Sequence, residues 1–243
     1  MKKIQILPNL FTTGNLCCGF LSILFVFRGE ILTACGLILI ANLFDILDGK
    51  IARLTKSTTS FGVQFDSLSD LVSFGIAPAT LVYAYLFQHA YHRLALIIFC
   101  LYVACGALRL ARFNVQVKSS TEKKYFTGLP IPAAGSLIAS FILVVSSYQL
   151  VIPKVPLMIA IIVLSYLMIS TIAYHIFVFE TTRNKRSFSY LVTIILGISF
   201  IAISPEIIIF IILLLFAFSG PFYLLRKTLA AYFKKYSILI RKS

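Results

Sequence analysis

Long apolar runs alternate with short polar breaks along the chain, and the runs approach the length a helix needs to cross a bilayer. A hydrocarbon core of about 30 Å takes about 20 helical residues, and within it every backbone N–H and C=O must be paired inside the protein. The runs lack the strict apolar/polar alternation of a membrane barrel, so helices rather than strands are expected. Eight spans follow, at residues 11–27, 31–48, 68–87, 94–111, 133–151, 155–179, 188–203 and 207–225. The seventh is short for a crossing. The expected fold class is all-α, a polytopic membrane helix bundle of about eight transmembrane helices.

Composition agrees with this pattern: 60% of the 243 residues are hydrophobic and 12% are charged, far from the usage of a soluble domain. The net charge of +14 changes the picture only once it is mapped onto the loops. With the N-terminus inside, all but three of the 22 basic residues fall on the inner side, the exceptions being Arg28, Arg93 and Lys154. This asymmetry predicts that both termini are cytoplasmic. It also argues against nucleic acid as a partner, because the charge is spread over every inner loop; anionic membrane lipids are the partner such a surface implies. Two lysines before an apolar run resemble the start of a signal peptide, but no convincing cleavage site or exported domain follows. The five cysteines all lie in predicted spans and do not form a disulfide framework, and the three histidines lack metal-ligand spacing.

No linker or low-complexity tract divides the chain, which reads as one membrane domain over 1–243. Its chemistry is expected in the first half, about 1–135, followed by apolar spans to about 225 and a basic cytoplasmic tail over 226–243. The reason is the placement of acid. Of eight acidic residues, all four aspartates, Asp45, Asp48, Asp66 and Asp70, fall between positions 45 and 70. Asp45 and Asp48 are spaced i, i+3 and Asp66 and Asp70 i, i+4, so on helices each pair projects from one face.

Asp45, Asp48, Gly49, Ala52 and Arg53 form one stripe, in which small residues let a phosphorylated ligand approach the backbone and Arg53 bonds an oxyanion. Gly62, Asp66, Ser69, Asp70 and Ser73 repeat the arrangement after a polar turn. Four carboxylates near hydrocarbon need cations. Oxygen-only ligands suit Mg²⁺ or Mn²⁺, and a four-carboxylate cage suits two such ions about 3.5–4 Å apart. Two other readings remain: helix caps and interfacial charges, or an ion-coupled transporter, which would place acids near the midplane of several spans.

The run Asp45-x-x-Asp48-Gly49-x-x-Ala52-Arg53, eight residues, Gly62-x-x-x-Asp66-x-x-x-Asp70 resembles the CDP-alcohol phosphatidyltransferase motif at every fixed position. The resemblance implies a homodimeric membrane bundle with a cytoplasm-facing cavity in the cell membrane. It also implies two divalent ions on the aspartates, CDP beside the small residues, and Asp70 as the ligand that takes a proton from the attacking hydroxyl. Asn9 and Thr12 resemble the family's nucleotide-proximal positions, although either could cap the first helix.

A second level of likeness, to the bacterial-type phosphatidylserine synthases of the family, lies in four runs: Leu7-Pro8-Asn9, Ser73-Phe74-Gly75-Ile76-Ala77-Pro78, Arg109-Leu110-Ala111-Arg112-Phe113-Asn114 and Gly128-Leu129-Pro130-Ile131-Pro132-Ala133-Ala134-Gly135. It implies CDP-diacylglycerol and L-serine as substrates, with glycerol 3-phosphate, inositol phosphate or a second lipid as the acceptors of sister enzymes. Arg109, Arg112 and Asn114, at the inner end of the fourth span, are candidates for binding the carboxylate of an amino-acid acceptor. The two arginines could equally anchor the helix to lipid phosphates.

Overall fold

A computed structural model describes residues 6–55, 59–88, 91–119, 125–175 and 204–240. The described helices are α1 (Ile6–Phe27), α2 (Ile31–Leu54), α3 (Ser60–Phe87), α4 (His92–Ser119), α5 (Ile131–Ser147), α6 (Lys154–Ile169) and α7 (Pro205–Ile240). Two three-residue strands, β1 (Tyr125–Thr127) and β2 (Ala173–His175), pair antiparallel in one small ribbon that the all-α expectation did not contain.

Five helices, α1 to α4 and α7, are long and apolar enough to cross a membrane, while α5 and α6 are apolar but only 17 and 16 residues long. The polarity of the bundle is inverted relative to a soluble protein. Phe20, Leu43, Ile97 and Leu215 are exposed on its outside, whereas Asn15, Ser69, Ser73 and Ser136 are fully buried. Such an arrangement suits a lipid surround. The expected seventh span, 188–203, lies outside the described residues.

Several boundaries differ from expectation: α1 starts at Ile6 rather than 11, α2 runs to Leu54 rather than 48, α4 to Ser119 rather than 111, and α7 to Ile240 rather than 225, into the expected tail. Two further differences have a visible cause. α3 begins at Ser60, eight residues before the apolar run, because Thr59 caps it: Gly62 N–H donates to Thr59 Oγ1 at 3.0 Å. α6 stops at Ile169 rather than continuing to 179, and residues 173–175 pair with β1 instead. The Arg112 guanidinium gathers the carbonyls of Met168, Ile169 and Ser170, satisfying the orphan acceptors of that helix end.

α1 packs along α2, α2 against α5, α4 along α6 and α5 against α7, with α3 enclosed by α1, α4 and α5. Close approach depends on glycine at two points. A Cβ on Gly19 of α1 would lie 2.6 Å from Ser73 Cα, and one on Gly135 of α5 would lie 2.7 Å from Phe74 Cα.

α3 also has a local irregularity with a definable cause. Pro78 has no N–H to offer the carbonyl of Phe74, and the preceding residues Leu71–Ile76 widen into a π-helical turn. The freed Phe74 carbonyl is not left bare: the buried Tyr102 hydroxyl of α4 donates to it at 2.9 Å.

Candidate active site

α2 and α3 bring their acidic stripes together. Ligand oxygens of Asp45, Asp48 and Asp66 all lie within 4.8 Å of one another, and Asp70 lines the same cavity as Asp45 and Asp66. The cavity has a volume of about 390 Å³. Its lining combines polar groups, those of Asp45, Asp66, Asp70, Asn42, Ser67, Arg109 and Asn114, with apolar ones that include Pro132, Leu213 and Phe216.

Each pair of carboxylates is held from α1. Thr12 Oγ1 lies 2.9 Å from Asp48 Oδ2 and 3.1 Å from Pro8 O, so its one proton is shared between them, with the carboxylate nearer. Asn15 Nδ2 donates to Asp70 Oδ1 at 3.2 Å. Asp48 and Asp70 are buried, and Asp66 Oδ1 is a buried acceptor with no partner. Among the described residues no basic side chain closes to within 4 Å of any of the four, and the one ion pair between described residues is Arg28–Glu30, at the turn between α1 and α2. Converging oxygen donors with an unsatisfied member and no cationic partner have the chemistry of a site for a hard divalent cation.

Arg109 is the opposing charge among the described residues that line this cavity. It is only 6% exposed, its Nε has no hydrogen-bond partner, and its charge faces Asp70 and Asp45 without forming an ion pair. A buried guanidinium with an unused donor in the wall of a cavity is equipped to bind an anionic group.

The remaining candidate residues are distributed as follows. A Cβ on Gly49 would meet only the Arg53 side chain, in ordinary contact with Nη2 at 3.7 Å; Arg53 is exposed and its Nε donates to Gly49 O at 2.9 Å. Ala52 is half-buried on the same helix. A Cβ on Gly62 would lie 3.2 Å from Thr59 Oγ1, a tight contact with the helix cap, and 3.6 Å from Asn9 Oδ1 of α1, an ordinary one. Asn114 donates through Nδ2 to Ser67 Oγ at 3.0 Å and faces Gln64 Oε1 at 3.4 Å, linking α4 to α3 at the cavity wall. Arg112, one turn from Arg109, points instead to the end of α6. Asn15, Asn42 and Ser67 were not among the residues expected from the sequence. Asn15 carried a readable signal, a polar side chain one turn from Thr12 within an apolar run.

Comparison with known proteins agrees with this geometry. The family model described as CDP-alcohol phosphatidyltransferase matches residues 5–177, which contain every aspartate of the cluster and Arg109. The chain belongs to the CDP-alcohol phosphatidyltransferase family. Among relatives in that group, the CDP-diacylglycerol–serine O-phosphatidyltransferase of Helicobacter pylori strain J99 is 32% identical over 207 residues, covering 84% of this chain and 85% of the relative. The archaetidylserine synthase of Methanothermobacter thermautotrophicus is 44% identical over 170 residues, 69% of each chain. The CDP-diacylglycerol–serine O-phosphatidyltransferase of Saccharomyces cerevisiae is 47% identical over 107 residues, covering 42% of this chain and 38% of the relative. This chain is thus a membrane-embedded member of a phosphatidyltransferase family, with its acidic cluster in the matched segment.

Proposed function

We propose that the protein transfers the phosphatidyl group of CDP-diacylglycerol to the hydroxyl of L-serine, giving phosphatidylserine and CMP. The observation that carries this reading is that Asp45 and Asp66 of the converged carboxylates share one cavity with Asp70 and Arg109, whose Nε has no hydrogen-bond partner. The names of the relatives support the acceptor. Those named for CDP-diacylglycerol and the one named for an archaetidyl product differ in the lipid but share serine.

In this reading Asp45, Asp48 and Asp66, with Asp70 beside them, would hold two divalent cations, Mg²⁺ or Mn²⁺. When bound, the cations supply charge neutralisation of the pyrophosphate. Gly49 and Ala52 leave room for the phosphates, Arg53 bonds their oxygens, and Asn9 and Gly62 border the nucleotide. Thr12, buried against Asp48, serves by orienting that carboxylate. Arg109 binds the serine carboxylate and Asn114 the rest of the polar wall. We assign Arg112 to the end of α6 rather than to the acceptor. Asp70 receives the proton as the serine oxygen bonds to phosphorus and the bond to the CMP oxygen breaks.

The same reading includes eight spans in one domain, both termini and the active site on the cytoplasmic side of the cell membrane, a homodimer, and anionic lipids against the basic inner loops. The loop charges support the orientation. Purified protein given labelled serine, CDP-diacylglycerol and Mn²⁺ is expected to form phosphatidylserine and CMP in equal amounts. Lipid product with glycerol 3-phosphate or inositol phosphate, and none with serine, would move the acceptor. Absence of lipid product with every alcohol would remove the enzymatic reading and favour ion transport.

A further inference from the structure

α1 contributes no carboxylate, yet two of its buried residues reach both aspartate pairs. Thr12 donates to Asp48, and Asn15, one turn along the same face, donates to Asp70. The backbone carbonyls of the two residues are engaged separately. Ser69 Oγ donates to Thr12 O at 3.0 Å and Ser73 Oγ to Asn15 O at 2.9 Å. These serine bonds join α1 to α3 through the backbone, so they persist whatever side chain stands at position 15. The hydrogen bond of the Asn15 side chain goes to Asp70 alone.

Asn15 is fully buried and its Oδ1 has no hydrogen-bond partner. A buried amide that leaves its acceptor unused is less favourable than an apolar side chain of similar size, so packing does not account for it. Its contact with Asp70 does. The terminal torsion of an aspartate is broad and two-fold, and Asp70 has Asp45 and Asp66 nearby to repel it. An amide N–H fixes such a carboxylate without adding charge, leaving its negative charge for cations; a lysine or arginine in the same place would compete with them.

We propose that Asn15 is a positioning residue that fixes the orientation of Asp70, holding one carboxylate oxygen and presenting the other to the cavity. The proposal rests on the reading of Asp70 as the group that serves the attacking hydroxyl, and it extends the working site to a helix that carries no acid.

The test uses full-length protein in detergent as wild type, Asn15→Leu, Asn15→Ala, Asp70→Asn and Asp70→Asn/Asn15→Leu. Phosphatidylserine formation is measured, and separately the rise in melting temperature caused by Mn²⁺ without substrates. Both Asn15 variants are expected to fold and to lose roughly 10–100-fold in kcat, with a smaller Mn²⁺-induced rise. Their KM for CDP-diacylglycerol is expected to stay within about twofold of wild type. In the Asp70→Asn background, Asn15→Leu is expected to leave the Mn²⁺-induced rise unchanged, because the group it positions is already altered. The proposal is overturned by a kcat within about twofold of wild type in Asn15→Leu. It is equally overturned by a further loss of the Mn²⁺ response in the double variant, or by failure of both Asn15 variants to fold. A wild type that responds to Mn²⁺ but forms no phosphatidylserine removes the serine reading, and the Mn²⁺ comparison then decides the role of Asn15 alone.

Discussion

Asp70 and Arg109 line the same cavity, and the proposed function gives them different tasks that substitution separates. Asp70→Asn keeps size and shape but removes the basic oxygen; turnover is expected to fall by roughly 10²–10⁴-fold with the protein still folded, and near-normal turnover would defeat the assignment. Arg109→Gln removes a charged donor worth about 1.5–3 kcal/mol, so the KM for serine is expected to rise by roughly 10–100-fold while that for CDP-diacylglycerol stays nearly constant. Steady-state kinetics in each substrate checks both. The aspartates were legible because four acids in a short stretch of an apolar chain demand a cation-binding or catalytic explanation. Arg112 was harder to read, since nothing in the spacing of two arginines reveals that a helix end 56 residues away needs its donors. Asn15 was readable as a polar side chain one turn from Thr12 in an apolar span, but its partner 55 residues on was not.

At the scale of elements, hydropathy located the end of α1, the start of α2 and the apolar middle of α4 to α7, because lipid makes the apolar face continuous. It failed where another force set the boundary: the Thr59 cap started α3 early, and pairing with β1 together with the Arg112 contacts ended α6 before its apolar run ended. The irregular turn in α3 supplies a prediction of its own. Tyr102→Phe leaves the Phe74 carbonyl without its donor and is expected to lower stability by about 1 kcal/mol. Adding Pro78→Ala supplies an N–H four residues beyond Phe74 and is expected to recover part of that loss. Thermal melts of the single and double variants check this, and a double variant less stable than Tyr102→Phe would contradict the account. Gly135→Val, by contrast, drives a branched side chain into the α3 backbone and is expected to cost about 1–3 kcal/mol without a compensating partner.

For the whole molecule, the proposed orientation is open to labelling. In a cysteine-free background, Lys3→Cys is expected to react with membrane-impermeant thiol reagents only from the cytoplasmic side, and Arg28→Cys and Lys154→Cys only from the opposite side; the reverse pattern would invert the topology. The apolar wall of the cavity has a different bearing on the family. Leu213 and Phe216 come from α7, beyond the segment 5–177 that the family model matches. Proteins alike in every acidic position can therefore differ in how their reaction chamber is panelled, and a graft of the first 177 residues onto foreign C-terminal helices would inherit the reagents but not the shape of the vessel.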